Sequence, residues 1–385
     1  TVALLGGLGL VAARVGLSAI PAYLLAGLLL GPNEPKVLSL IQPSEVTDFV
    51  AEIGLLFLLF FLGLEFSLER VLRSGRHVAG GGAVDFAVNG LLGLAVGLVA
   101  FGPSFAALVL AACVYVSSSA IAVKGLIDLR RLADDETDLV LAILVFEDLV
   151  VAVVLGLVAA GGASIGGTAG VVAKAVAFIG LGLLASRWLS RPIDRLLGRL
   201  QLEFFLLAVF GFLVAMSAVA KELGISEAIG ALMAGVVLAE TGARREVEER
   251  FFSFRDVFAA LFFFVFGLSI DLGALDTVWW IVLTATLATV LGKTTTGLVA
   301  GRLGALTQRQ SLNAGAALVA HGEFTVVLAQ VAAGNAALGV SDRDDLVAFA
   351  GLYVLVTATV GVVLMKESKR LGRRLFPPPR LEGAR

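Results

Sequence analysis

The chain has 385 residues, 58% of them hydrophobic and 16% charged, with a formal net charge of −2 and a mean hydropathy of +0.97. Soluble domains are nearer half apolar and a quarter charged, so a soluble globular protein is excluded; the near-neutral net charge itself says little about partners, and no nucleic-acid partner is expected. The apolar residues come in runs of about twenty, the length at which a helix crosses roughly 30 Å of hydrocarbon, whereas a membrane β-barrel would show short alternating segments.

The hydropathy predicts thirteen spans, at 2–15, 18–31, 46–66, 79–101, 104–128, 136–160, 165–187, 201–220, 224–241, 252–271, 277–303, 308–334 and 342–367. Glycine and proline occur throughout them, as bilayers tolerate, and the 45 glycines let helix backbones approach closely. The chain starts at Thr1 in a helical pattern with no basic n-region, so no cleavable signal peptide is expected. Cys113, the single cysteine, lies in an apolar run, which excludes an intramolecular disulfide and suits a small core residue. Two histidines are too few for a metal cluster.

Basic residues gather in alternate loops: Arg70, Arg73 and Arg76; Lys124, Arg130 and Arg131; Arg187, Arg191, Arg195 and Arg199; Arg244, Arg245, Arg250 and Arg255; then Arg302 and Arg309. The C-terminal segment adds Lys366, Lys369, Arg370, Arg373 and Arg374, while the opposite loops hold only Lys36, Lys221 and Arg343. The positive-inside rule makes the rich side cytoplasmic. An odd number of spans then places the N-terminus outside and the C-terminus in the cytoplasm, in a plasma (inner) membrane.

Two stretches recur in the second half. "GLSAIPAYLLAGLLLG" from Gly16 aligns with "GISEAIGALMAGVVLA" from Gly224, an offset of 208 residues, and "FLGLEFSL" from Phe61 aligns with "VFGLSIDL" from Val265, an offset of 204. The second span thus matches the ninth and the third matches the tenth. A separation of seven spans reverses direction across the bilayer, so the halves are expected to be inverted copies. Inverted repeats are a transporter architecture with the site at the midplane. The expected division is a first repeat of six spans over 1–164, a linker span and cytoplasmic loop over 165–200, a second repeat over 201–368, and a basic cytoplasmic tail over 369–385.

Corresponding spans of the two halves are interrupted. "YVSSSAIAVKG" in the fifth carries Ser117, Ser118 and Ser119 near its middle, and "LVAHGEFTVV" in the twelfth carries His321, Gly322 and Glu323 at matching depth. Serine hydroxyls compete for backbone hydrogen bonds and can replace part of a cation's water shell. Packing of close helices is the bland explanation of such residues, and the symmetric placement argues against it. Halfway along the sixth span stand Glu147 and Asp148, where each charge costs about 2.5–3.5 kcal/mol on insertion scales. Successive helical residues point about 100° apart, so one carboxylate can face a cavity while the other faces a partner helix.

Lys293 lies at mid-depth of the eleventh span and Glu323 at mid-depth of the twelfth. A Glu147–Lys293 ion pair is the structural explanation, or it couples to transport. One lysine against three acids leaves carboxylates that must be protonated, hydrated or bound to a cation. A carboxylate that alternates between a proton and a monovalent cation is antiporter chemistry, because the two ligands compete for one site.

As a set, these residues resemble the Kef-type and NapA-type branch of the monovalent cation:proton antiporters. The likeness rests on "IPAYLLAGLLLGP", "EIGLLFLLFFLGLEF", "SSSAIAVKGL", the acidic pair, "GALMAGVVLAE", "FFFVFGLSIDL" and "HGEFTVVLAQ". It implies an NhaA/NapA-like fold of thirteen helices with crossed discontinuous helices and a dimerisation part that makes homodimers. It implies that Asp148 holds the monovalent cation, and that Glu147 and Lys293 stand where sodium-transporting members have an aspartate paired with a lysine. Glutathione-gated potassium members carry glutamine at the first acid. Glu147 departs from both patterns, which leaves potassium and sodium both open. Kef-type members continue into a nucleotide-binding domain, but no GxGxxG follows a strand pattern here. Regulation is therefore expected from a separate cytoplasmic subunit, if there is any. No cofactor is expected beyond the transported cation and proton.

Three other classes fit the sequence less well. A sodium-coupled organic-anion symporter of related fold would need a cationic or polar cavity, for which Lys293 alone is thin support. A cation channel builds its filter between identical subunits, which an inverted repeat does not serve. An intramembrane enzyme lacks its constellation, because His321 has no second histidine near it in sequence and suits a hydrogen-bonding role at the helix break.

Overall fold

The computed structural model of the protein describes residues 2–14, 19–33, 39–65, 75–160, 190, 192–198, 200–223, 227–270, 273, 275–335 and 337–376. Among them the secondary structure is helical, with no strand. In chain order the helices are α1 (Val2–Arg14), α2 (Ala19–Leu30), α3 (Glu45–Glu65), α4 (Gly75–Phe101), α5 (Phe105–Tyr115), α6 (Ser119–Asp128) and α7 (Glu136–Ala160). There follow α8 (Leu202–Glu222), α9 (Glu227–Ala239), α10 (Arg244–Ser269), α11 (Leu275–Leu303), α12 (Gln308–Ala317), α13 (Glu323–Ala333) and α14 (Val340–Leu375). Among the described residues eight stretches are long and apolar enough to cross a membrane, with α5 and α6 together forming one of them; α2, α9 and α13 are shorter apolar helices. The seventh expected span, 165–187, lies outside the described residues.

Two expected boundaries shift, for electrostatic reasons that hydropathy does not register. The tenth span, expected from 252, starts its helix at Arg244, because "RREVEERFFS" closes i,i+4 ion pairs from Arg244 to Glu248 (2.7 Å) and from Arg245 to Glu249 (2.8 Å). At the other end, residues 369–375 of the expected tail continue α14. Basic residues suit a helix C-terminus, and this extension is tied down. Arg131 Nη1 donates to the Met365 carbonyl at 2.8 Å and to Ser368 Oγ at 2.9 Å, and Lys369 pairs with Asp134 at 2.7 Å.

Helix packing falls into two groups. In one, α3 packs on α9 and α10, α2 on α1 and α10, and α8 on α9; in the other, α4, α5 and α7 pack together, α11 on α4 and α12, and α14 on α12 and α13. Glycines set the closest approaches of the first group. Gly27 of α2 meets the Gly267 backbone of α10, and Gly63 of α3 meets the Gly235 backbone of α9; a Cβ at any of the four would collide with main chain.

The second group holds two interrupted helices. Between α5 and α6 the chain is extended at Val116 and Ser118, and Ser118 caps α6 by accepting from the Ile121 N–H. Between α12 and α13 residues 318–322 are non-helical. A capping box, Thr307 with Gln310, starts α12. The breaks lie against each other. The Ser118 N–H donates to the Ala320 carbonyl at 2.8 Å, and the Thr325 hydroxyl donates to the Cys113 carbonyl at 3.2 Å. Each break thereby satisfies backbone groups that interruption of a helix leaves open.

Candidate functional site

Each of the three serines at the α5–α6 break serves a different carboxylate. Ser117 donates to Glu147 from its backbone N–H, and its Oγ lies 3.0 Å from Glu147 Oε1 and 2.8 Å from the Leu318 carbonyl of the other break. Ser118 Oγ donates to Glu323 Oε2 at 2.9 Å, and Ser119 Oγ donates to Asp148 Oδ1 at 3.2 Å. The run folds this way because consecutive residues of an extended segment point in different directions, and the third serine begins a helix.

Glu147 and Asp148 diverge as neighbours on a helix must. Glu147 is fully buried and meets Lys293 Nζ at 2.8 Å. Asp148 is partly buried, beside Ser119. Lys293 is also fully buried and bonds a second carboxylate that sequence reasoning missed: Asp85 of α4, at 3.0 Å. Its third donor goes to the Tyr115 carbonyl at 2.8 Å, and the ammonium lies 5.5 Å from the centre of the Tyr115 ring. Asn89, one turn beyond Asp85, donates to Asp85 Oδ1 at 2.8 Å and to Thr296 Oγ1 at 3.1 Å. The signal for Asp85 was present: it is an acid inside "GGGAVDFAVNGLLG", an apolar run.

His321 bridges the two breaks. Its Nδ1 is 2.9 Å from the Val319 carbonyl, and its Nε2 is 3.0 Å from the Val114 carbonyl and 3.3 Å from the Tyr353 hydroxyl. Tyr353 also hydrogen-bonds Thr289. Gly322 precedes α13 and packs against the Ser118 side chain, too closely for a Cβ to fit. The predicted residues therefore gather around the two breaks, in two arms. Glu147, Ser117 and Lys293 form one, deep in the protein. Asp148, Ser118, Ser119 and Glu323 form the other.

A cavity of about 800 Å³ reaches the second arm. One wall comes from α2, α3 and α10, with Tyr23, Phe61 and Phe263; the other comes from α6 and α13, with Ser119, Val123 and Glu323. The cavity thus lies between the two helix groups, and its lining includes Ser119, whose hydroxyl bonds Asp148. Charges stand along it: Lys124 pairs with Asp128 at 3.2 Å, and Arg255 with Asp256 at 2.9 Å. The Arg255 guanidinium lies over the Phe252 ring at 4.2 Å. Carboxylate and hydroxyl oxygens beside a mostly apolar cavity that carries a few charges suit a hard, weakly bound cation.

The potassium/proton antiporter subunit KhtU of Bacillus subtilis is 38% identical over 373 residues, covering 95% of this chain and 91% of that one. The glutathione-regulated potassium-efflux protein KefC of Klebsiella pneumoniae is 34% identical over 69% of this chain and 44% of its own length. In three dimensions the fold matches the sodium/proton antiporter MjNhaP1 of Methanocaldococcus jannaschii, with a TM-score of 0.72 at 16% identity, over 98% of this chain and 97% of the other. Residues 1–366 match the family model described as sodium/hydrogen exchanger, transmembrane. The chain belongs to the sodium/hydrogen exchanger family.

Proposed function

We propose that the chain is a secondary active monovalent cation:proton antiporter of the plasma membrane, in which proton and cation compete for Asp148. The observation that carries this is the cavity between the two helix groups, whose lining includes Ser119, the donor to Asp148. Membership of a family of exchangers, not enzymes, agrees with it. Alternating access then consists of one helix group moving against the other, so that the site opens to each side in turn. Glu147 and Lys293 form the ion pair beside the site, and His321, Gly322 and Glu323 shape the second break.

The inverted repeat is part of the proposal. The offset of 208 residues carries Gly27 onto Gly235, and the offset of 204 carries Gly63 onto Gly267. The packed pair Gly27–Gly267 and the packed pair Gly235–Gly63 are therefore images of one another. The breaks repeat this reciprocity: Ser117 Oγ meets the Leu318 carbonyl, and His321 Nε2, at the matching position, meets that of Val114. Counting α5 with α6 and α12 with α13, twelve of the thirteen proposed spans are assigned to the described helices, and the last to 165–187. The N-terminus is placed outside and the C-terminus in the cytoplasm.

Homodimerisation is assigned to the group containing α2, α3, α9 and α10. A separate cytoplasmic regulatory subunit is proposed because the KhtU relative is itself named as a subunit. No cofactor is invoked beyond the transported ions. Potassium is the first cation to test, as the KhtU and KefC relatives are named for it. The experiment is dequenching of a pH-sensitive dye in proteoliposomes on addition of potassium or sodium. Proton movement driven by either cation is the expected result, and silence with both overturns the proposal.

A further inference from the structure

We infer that Asp85 is the fixed counter-ion of Lys293, a positioning residue that holds the ammonium on the Glu147 side of the site and away from the cation at Asp148; the inference rests on the antiport proposal above.

The donor inventory leads to it. An ammonium has three N–H donors and no acceptor. Those of Lys293 go to Asp85, Glu147 and the Tyr115 carbonyl, at 3.0, 2.8 and 2.8 Å. None remains for Asp148. Asp85 faces the ammonium with both oxygens, at 3.2 and 3.0 Å. It is itself held by Asn89, which in turn bonds Thr296, one turn along α11 from Lys293. The polar chain thus closes on itself across the α4–α11 interface.

Burial says why a second acid is needed. Lys293, Asp85 and Glu147 have no exposed surface. A lysine paired with Glu147 alone would become an orphan ammonium in a low-dielectric interior whenever Glu147 moved or lost its charge, and a buried charge without its partner is strongly destabilising. Asp85 removes that outcome, because the ammonium keeps one full counter-charge through any change at Glu147. Asp85 is fully buried and its oxygens are taken up by Lys293 and Asn89, whereas Asp148 is partly buried and bonds the cavity-lining Ser119, so Asp85 is no ligand for an ion arriving there. Its effect on the transported cation is through Lys293. With Asp85 present the lysine and its anchor are neutral together. Without it, only Glu147 balances the ammonium, and the cation site loses the attraction of one buried negative charge.

The test uses the full chain reconstituted in proteoliposomes, with cation-driven proton movement measured against potassium concentration for wild type, Asp85→Asn, Asp85→Glu and the double variant Asp85→Asn with Lys293→Gln. Asp85→Asn is expected to raise the KM for the cation about tenfold, as one unit charge acts across roughly 10 Å of protein, with a smaller change in kcat. Asp85→Glu keeps the charge and is expected to return KM close to wild type. The double variant loses both charges and is also expected to recover KM, and it serves as well where Asp85→Asn does not fold. An unchanged KM in Asp85→Asn, or a double variant with the same weak KM as the single, overturns the inference. If the wild type moves no proton with any monovalent cation, it is the antiport proposal that fails. Thermal stability then still decides on the pairing: a double variant more stable than Asp85→Asn retains it, and one no more stable overturns it.

Discussion

Lys293 Nζ lies 2.8 Å from Glu147 Oε1, and neither side chain is exposed. Asp85 on the other side of the ammonium makes the pair asymmetric to substitution. Glu147→Gln leaves Lys293 with a full counter-charge and sets one amide N–H₂ against the Ser117 N–H that Glu147 now accepts. That mismatch costs about 1–3 kcal/mol. Lys293→Gln instead leaves two buried carboxylates facing each other without a cation, at about 3–5 kcal/mol. Thermal unfolding of the purified variants is expected to rank Lys293→Gln as the less stable. The reverse order would mean that the ammonium is not the shared counter-ion.

Asp148→Asn is expected to abolish cation-driven proton movement while the protein stays folded. The amide cannot release a proton and has no charge with which to hold a cation, yet it still accepts from Ser119. Dye dequenching together with a size-exclusion profile checks this. Exchange at the wild-type rate would remove Asp148 from the site.

The serines separate binding from stability. Ser117 is buried and bonds Glu147, so Ser117→Ala leaves a charged acceptor underserved and is expected to lower stability by about 1–3 kcal/mol. Ser119 lines the cavity beside Asp148, where water can replace its hydroxyl. Ser119→Ala is expected to leave stability within about 0.5 kcal/mol and to raise the KM for the cation. Equal melting temperatures for the two variants would contradict the division of the site into a deep arm and a cavity arm.

Much of this was legible in the sequence, for a physical reason: lipid makes polar residues conspicuous. Glu147, Asp148 and Lys293 stand out because an apolar run tolerates no unexplained charge, and Ser117–Ser119 and His321–Glu323 because they interrupt helices at matching places. Asp85 obeys the same rule and was passed over, since it stands nearer the start of its run and its partner is 208 residues away. Helix ends were the other gap. Hydropathy cannot register the i,i+4 pairs that extend α10 back to Arg244, nor the Arg131 and Lys369 contacts that order the end of α14. Which acid each serine serves follows from the turn out of extended backbone into α6, a tertiary property that spacing does not encode.

The glycine pairs test the scaffold. Gly63 lies against the Gly235 backbone with no room for a Cβ. Gly63→Val must push α3 away from α9, and such overpacking is expected to destabilise the protein by about 1–3 kcal/mol or more. Gly80 has open space at its Cβ position, so Gly80→Ala serves as the control and is expected to be neutral or slightly stabilising. Thermal unfolding in detergent distinguishes them. If Gly63→Val melts with the wild type, the close approach of the two helices is not what holds that group together.

The cavity gives a directional prediction. Ala120 is exposed and lines it, whereas Cys113, the single cysteine, is buried. The natural chain is therefore a quiet background for thiol labelling, and Ala120→Cys adds one accessible site. The cavity wall runs along α6 toward Lys124 and Asp128, the end that the basic loops place in the cytoplasm. A membrane-impermeant maleimide is expected to label Ala120→Cys from the cytoplasmic face of oriented vesicles, and to leave the unsubstituted protein unlabelled. Labelling from the outer face alone would reverse either the topology or the side to which this conformation opens, and wild-type labelling would show that Cys113 is reached by water. Slower labelling of Ala120→Cys in saturating potassium, with choline as the control, is expected if the cation settles at Asp148 beside Ser119.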